Sequence, residues 1–245
     1  MEMVISITDL SYTYHDGTPA LKGISLNISR GESVGVIGPN GAGKTTLLLH
    51  LNGILTSKNG MVKILGKEAS KENLKGIRRE VGLVFQDPDD QLFMPTVFDD
   101  VAFGPINTGC SEEEVRDRVA QALKWVGMED REQRSPQHLS IGEKKRIAIA
   151  TILSMRPEIL VIDEPTANLD PRAKWELVKL VKGLPMTKIV ASHDLEMVAA
   201  LCERTIILDE GKIAADDATL NIMSNIDLLE RHGLAPASPI IEHQA

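Results

Sequence analysis

The chain has 245 residues, 42% of them hydrophobic and 25% charged, and carries a net charge of −8. That is enough for one large domain, or a domain with a lobe, around a proper core, and the acidic balance argues against a broad grip on DNA or RNA, which relies on a basic face. Cys110 and Cys202 stand far apart in no C-x-x-C pattern, as reduced structural thiols do, and no apolar run has the ~18–20 residues of a membrane span.

The start Met1-Glu2-Met3-Val4-Ile5 lacks the basic stretch of a signal peptide, so the protein is expected to be soluble and to serve a membrane only through a partner. Residues 3–37 are predicted to be β-rich, with strands over 4–8, 10–14, 24–28 and 33–37 and turns at Asp16-Gly17 and Arg30-Gly31. The run Gly38-Pro39-Asn40-Gly41-Ala42-Gly43-Lys44-Thr45-Thr46 then fits G-x-x-x-x-G-K-[ST]. A buried strand precedes it and a helix over 45–51 follows, a context that a chance glycine-rich turn lacks. Gly38, Gly41 and Gly43 let the loop turn its N–H groups inward around phosphate oxygens, at the positive end of the helix. Lys44 is expected to put its ammonium on the β/γ-phosphates, and Thr45 to offer its hydroxyl to Mg²⁺.

Asn59-Gly60 reads as a hairpin turn leading into a strand over 61–65, with a second turn at Gly66. A further strand is predicted over 81–85. Residues 88–157 change character, with two helices predicted and no clear strand. Ser111 and Glu114 form a capping box ahead of the stripe Val115, Val119, Ala122, Leu123 and Val126, which ends at Gly127. Ser140 and Glu143 form a second box, opening a helix that runs through 147–153 and stops before Pro157. From residue 159 the α/β rhythm returns. Strands are predicted over 159–162, 188–191 and 205–208, and helices over 171–182, capped by Asp170, and over 195–202. Residues 235–245 read as a loose tail.

The run Ile159-Leu160-Val161-Ile162-Asp163-Glu164 ends a buried strand in two carboxylates. Asp163 is expected to hold Mg²⁺, through water, and Glu164 to orient and polarise an attacking water. Acidic residues are common after strands; it is the pairing with the phosphate loop that points to a hydrolytic site.

With Leu139-Ser140-Ile141-Gly142-Glu143 in place, residues 3–235 resemble the ATPase subunit of an ATP-binding cassette (ABC) transporter. The resemblance rests on ordered motifs: Walker A at 38–46, Gln86 as the Q-loop, the signature at 139–143, Walker B at 159–164, the D-loop Asn168-Leu169-Asp170, and His193 as the switch histidine. It implies an α/β P-loop NTPase fold: a RecA-like, mostly parallel sheet with flanking helices, an N-terminal antiparallel β subdomain and an inserted α-helical subdomain. One ABC domain over 1–235 would comprise a core of 1–87 and 158–218 and a helical lobe of 88–157, with a C-terminal helix and tail over 219–245. The cofactors implied are ATP and Mg²⁺.

Taken alone, Gln86 is a surface glutamine at a strand end, His193 a helix-start residue and Asp170 a helix cap. By resemblance, Gln86 reaches Mg²⁺ and the attacking water, and His193 contacts the γ-phosphate. Tyr14 or Tyr12 would stack on adenine; the spacing to Walker A favours Tyr14, and sheet packing suits Tyr12 better. Ser140, Gly142, Glu143 and Asp170 reach the nucleotide held by a second copy, so two copies sandwich two ATP molecules head to tail. The family's usual signature is Leu-Ser-Gly-Gly-Gln. Here Ile141 stands where a glycine is usual, and any geometry needing positive φ there would be compromised; turnover is expected to be sensitive to this residue.

All four phenylalanines, Phe85, Phe93, Phe98 and Phe103, fall within residues 85–103. They fit either a local core for the helical lobe or a docking groove for a helix of an integral membrane subunit, with Met94 as an adaptable contact. The stretch 85–105 resembles the energy-coupling-factor branch of the family, and residues 140–146 resemble its cobalt/nickel importers. The resemblance therefore implies an ATPase that powers uptake of cobalt or nickel, as a homodimer held by partners at the cytoplasmic side of the cell membrane. The alternatives are a vitamin-type importer of the same branch and a soluble ABC ATPase of DNA repair or translation.

Overall fold

Apolar residues in strand period dominate the first part of the chain, and in the structure, a computed structural model describing residues 2–234, they form long antiparallel strands. β1 (Met3–Thr13) buries Val4, Ile5, Ile7 and Leu10, and β2 (Pro19–Ser29) buries Leu21, Ile24, Leu26 and Ile28. The two strands predicted over 4–8 and 10–14 are one. The chain bends at Asp9 (φ 49°), where the register against β2 shifts between Ile7 and Leu10. β3 (Ser33–Ile37) is buried throughout and feeds the loop before α1 (Lys44–Leu51).

The chain then enters β4 (Asn59–Ile64) and β5 (Lys67–Glu68), completing a four-stranded sheet of order β2-β1-β4-β5. Asn59-Gly60 is not a hairpin turn. The chain reaches it from a helix, with no strand to fold back on, and Asn59 opens β4 opposite Ser11. Gly60 (φ 92°) lies against the bend in β1, where an added Cβ would sit 2.3 Å from the Asp9 carbonyl oxygen. Glycine serves close approach here, as it does at bulges.

After α2 (Leu74–Glu80) and β6 (Val81–Val84) comes the helical lobe: α3 (Val97–Asn107), α4 (Glu112–Val126) and α5 (Ile141–Leu153). Three helices stand where two were predicted. α3 escaped notice because Pro105 lies inside it and its phenylalanines suggested a docking stretch; its signal is Thr96, whose side chain accepts from the Asp99 N–H. Both predicted capping boxes form, and Gly127 closes α4 at φ 66°. Val97 and Val101 of α3 pack with Val119 and Leu123 of α4 and with Ile147 of α5, in a core continuous with one face of the second sheet.

That sheet receives β7 (Ile159–Asp163), then α6 (Pro171–Gly183), β8 (Thr187–Ala191), α7 (Leu195–Leu201), β9 (Arg204–Asp209) and β10 (Lys212–Ala218). Two short helices follow, α8 (Thr219–Ser224) and α9 (Ile226–Arg231), in place of the single C-terminal helix predicted. The predicted tail over 235–245 lies outside the described residues. The sheet order is β10-β9-β3-β8-β7-β6, parallel except for the β9–β10 pair. β3, β6, β7 and β8 are buried at every residue, as strands covered on both faces are. In such a sheet, ligands gather outside the carboxyl ends of the strands. The loops leaving β3, β8, β7 and β6 therefore stand in a row, and they carry the phosphate loop, Ser192-His193, Asp163-Glu164 and Gln86.

Candidate functional site

Gly43 (φ 103°) caps α1, where an added Cβ would lie 2.6 Å from the Ala20 carbonyl oxygen. Among the described residues no side chain caps this helix, so its first N–H groups face the loop, as an anion site requires. Lys44 is buried and donates from Nζ to the carbonyls of Gly38 (2.7 Å) and Pro39 (3.1 Å), holding the arch closed. Burial lowers its pKa, against the pull of Glu164 and Asp163. Tyr14 is partly exposed at the mouth, its hydroxyl 2.8 Å from Thr46 Oγ1. Tyr12 packs edge-on against Tyr14 and His50, the packing role expected of it.

Asp163 and Glu164 emerge from β7 almost fully buried. Thr45 Oγ1 donates to Asp163 Oδ2 at 2.6 Å, while Asp163 Oδ1 is buried with no hydrogen-bond partner among the described residues. Burial raises the Asp163 carboxyl above the usual range, opposed by the Thr45 hydrogen bond. A hydroxyl oxygen beside a carboxylate with a spare oxygen is a hard, all-oxygen donor set that suits Mg²⁺. Glu164 adopts φ 44°, its N–H donating to the Ala191 carbonyl at 2.9 Å. Its carboxylate accepts from Ser192 Oγ (2.9 Å) and the His193 N–H (3.1 Å), and His193 Nδ1 lies 2.9 Å from Oε2. The exposed His193 ring thus stands beside a carboxylate that is already fixed.

Tyr14, Asn40, Gly41, Ala42, Gly43, Lys44, Thr45, Thr46, Gln86, Asp163 and Glu164 line one cavity of about 300 Å³. Gly38, Pro39 and His193 line an adjoining one, which Asn40 shares. Ser140, Gly142, Glu143 and Asp170 line neither. Ser140 caps α5: its Oγ accepts from the Glu143 N–H (3.3 Å), and its N–H donates to Glu143 Oε2 (2.9 Å). Those bonds and Arg131, 3.1 Å away, hold the Glu143 carboxyl below its ordinary pKa. Ile141 is not among the residues with positive φ; it is the first helical residue of α5, so the backbone needs no glycine there. Asp170 caps α6, accepting from the N–H groups of Arg172 and Ala173 at 2.9 Å.

The phenylalanines divide between core and surface. Phe85 and Phe98 pack against core clusters, whereas Phe93 (64% exposed) and Phe103 (44%) meet edge-on at 5.1 Å on the surface. Asp100, buried in α3, holds the preceding loop by accepting from the Phe93 and Met94 N–H groups.

Two residues of the site escaped the sequence reading. Ser192 precedes His193 at the end of a buried strand, and a small polar residue in that place is a usable signal. In sequence nothing distinguishes Lys145 from the adjacent Lys144. Lys145 is 4% exposed and donates from Nζ to the carbonyls of Glu164 (3.0 Å) and Gln86 (3.2 Å); burial lowers it to about 8.

A family model described as ABC transporter matches residues 21–167. The energy-coupling factor transporter ATP-binding protein EcfA of Methanothermobacter thermautotrophicus is 51% identical over 94% of this chain and 76% of its own length. Among solved structures, CbiO1 from Clostridium perfringens, part of the ABC transporter complex CbiONQ, superposes with a TM-score of 0.84 at 39% identity, over 96% of both chains. A dimeric ATP-binding cassette in a post-hydrolysis state, bound to ADP and Pi, superposes at 0.79 with 30% identity, over 88% of this chain and 98% of its own.

Proposed function

The chain belongs to the ABC transporter family, on its energy-coupling-factor branch, and we propose that it hydrolyses ATP to drive uptake of cobalt or nickel through membrane partner subunits. The observation that carries the catalytic part is the single cavity in which an uncapped helix N-terminus, Lys44, the Thr45–Asp163 pair and the fixed Glu164 carboxylate converge. The loop 38–46 binds the phosphates, with Lys44 turning from its own loop carbonyls to the β/γ-phosphates, and Tyr14 stacks on adenine. Thr45, Asp163 and Gln86 would hold Mg²⁺, which when bound neutralises charge on the phosphate oxygens. Glu164 orients a water for in-line attack on the γ-phosphorus and takes its proton as the bond to the ADP oxygen breaks. His193 contacts the γ-phosphate and is steadied by Glu164.

Ser140, Gly142, Glu143 and Asp170 lie outside this cavity, which supports their serving the nucleotide of a second copy in a two-fold homodimer. Closure of the pair around ATP and its opening after hydrolysis would move the helical lobes. We take residues 1–235 as one ABC domain, with a core of 1–87 and 158–218, a lobe of 88–157, and a C-terminal part from 219 to 245. The integral membrane subunit docks near 85–105, where Phe93, Phe103 and Ile106 expose apolar surface. Among the described residues no helix is long and apolar enough to cross a membrane, so a place on the cytoplasmic side of the membrane would come from that docking. The run 140–146, which resembles the cobalt/nickel importers, supports a metal rather than a vitamin as cargo.

The test uses the ATPase assembled with its membrane subunits. Glu164→Gln should keep nucleotide binding and lower phosphate release about 10²–10⁴-fold, the range for a positioned general base. Unchanged release refutes the base assignment. Uptake of labelled cobalt or nickel by the wild-type complex, abolished in the same variant, tests the cargo; ATP-dependent uptake of a vitamin instead would overturn it.

A further inference from the structure

A lysine ammonium carries three donors and is costly to bury unless acceptors meet them. Lys145 is buried on α5, five positions after the signature serine Ser140, and its ammonium meets two main-chain carbonyls. Those carbonyls belong to Gln86 and Glu164, at the ends of two different strands. No apolar side chain at this position could make either bond. The peptide units of Glu164 are held from two directions: its N–H by the Ala191 carbonyl of β8, its C=O by Lys145 of α5. This matters because Glu164 sits at φ 44°, a conformation that a non-glycine residue keeps only when its surroundings hold it there.

α5 grips the same segment at further points. Lys144 Nζ donates to Asp89 Oδ1 at 2.7 Å. Gln91 donates to the Ala148 carbonyl and to Thr151 Oγ1, at 2.8 and 2.7 Å, while its own Oε1 accepts from the Phe85 N–H. The stretch 85–91, which leads to the exposed Phe93, is thus stitched along one helix, and among the described residues only Lys145 carries that attachment through to Glu164.

We propose that Lys145 is a positioning residue that ties the Glu164 and Gln86 main chains to the signature helix and so holds the hydrolytic carboxylate in place. This rests on the assignment of Glu164 as the base.

The experiment measures phosphate release, ATP affinity and thermal midpoint for the full chain assembled with its membrane subunits. Lys145→Met keeps the side-chain length and removes the donors. It should lower kcat by about tenfold or more, as a slackened catalytic group does, with ATP affinity held within about twofold. Lys145→Arg or Lys145→Gln, which restore a donor, should recover most of the loss, which a merely space-filling role would not produce. Lys145→Met with wild-type kcat overturns the proposal, as do donor-bearing variants that are both as slow as Lys145→Met. Glu164→Gln runs alongside. Turnover that survives it refutes the base assignment itself, whereas turnover lost there and retained in Lys145→Met refutes only the positioning role.

Discussion

Asp100→Ala should loosen the loop that presents Phe93. The Asp100 carboxylate is 4% exposed, and its Oδ1 accepts from the N–H groups of Phe93 (3.0 Å) and Met94 (3.1 Å). Truncation leaves two partly buried donors unpaired, at about 1–3 kcal/mol each when desolvation is complete. Water reaches part of this loop, and removal of a buried charge offsets part of the cost, so a net loss of about 2 kcal/mol is expected. For a chain of this size that lowers the thermal midpoint by about 4–8 °C. Asp100→Asn keeps an acceptor and discards the charge, and should stay within about 1 kcal/mol of wild type. Burial raises the Asp100 pKa above its unfolded value, so the folded state binds more protons through that interval. Wild-type stability should therefore fall as pH rises from the ordinary carboxylate value through the raised one, and Asp100→Asn should lack that portion of the slope. Thermal melts at several pH values read both effects, and partner-stimulated phosphate release reads the proposed docking surface, which should suffer in Asp100→Ala alone. Equal damage from Asn and Ala would refute the acceptor argument, and so would an unshifted midpoint in Asp100→Ala.

Ile141→Gly should leave the fold intact, because Ile141 lies in helical conformation at the first position of α5. Clearing its branched, partly exposed side chain from the helix end should raise turnover about threefold, equivalent to the 0.3–1 kcal/mol a helix N-terminus contributes to a nearby anion; turnover equal to wild type would show that the residue is indifferent. The two thiols should differ in reactivity. Cys202 is buried, and desolvation pushes it up to about 12, whereas Cys110 is half-buried. A thiol reagent at neutral pH should modify one cysteine in the native protein and both in denaturant, and rapid native labelling of Cys202 would contradict its burial.

Features with local causes were legible from the chain alone. The capping boxes at Ser111 and Ser140 need only residues three apart, and both form. The phosphate loop is a strand, a turn and a helix in uninterrupted sequence, and the buried strands announce themselves as Val/Ile/Leu runs. Asn59-Gly60 misled because a glycine that permits close approach to another strand looks, in sequence, like one that permits a turn. α3 was masked by Pro105 and by its phenylalanines, of which Phe103 faces outward.

Tertiary structure alone decided what meets what. Thr45 and Asp163 are 118 positions apart and come within 2.6 Å because β8 separates β3 from β7 in the sheet. The same strand order sets Ser192 and His193 against Glu164. Lys145 shows the limit most plainly. Next to Lys144 it looks like a second solvated cation, yet the helix turns by about 100° between them, and that rotation carries one ammonium to an exposed aspartate and the other to the main chain of Glu164. A residue's type states which bonds it can make, but only the packing of α5 against the ends of β6 and β7 determines which of them it makes.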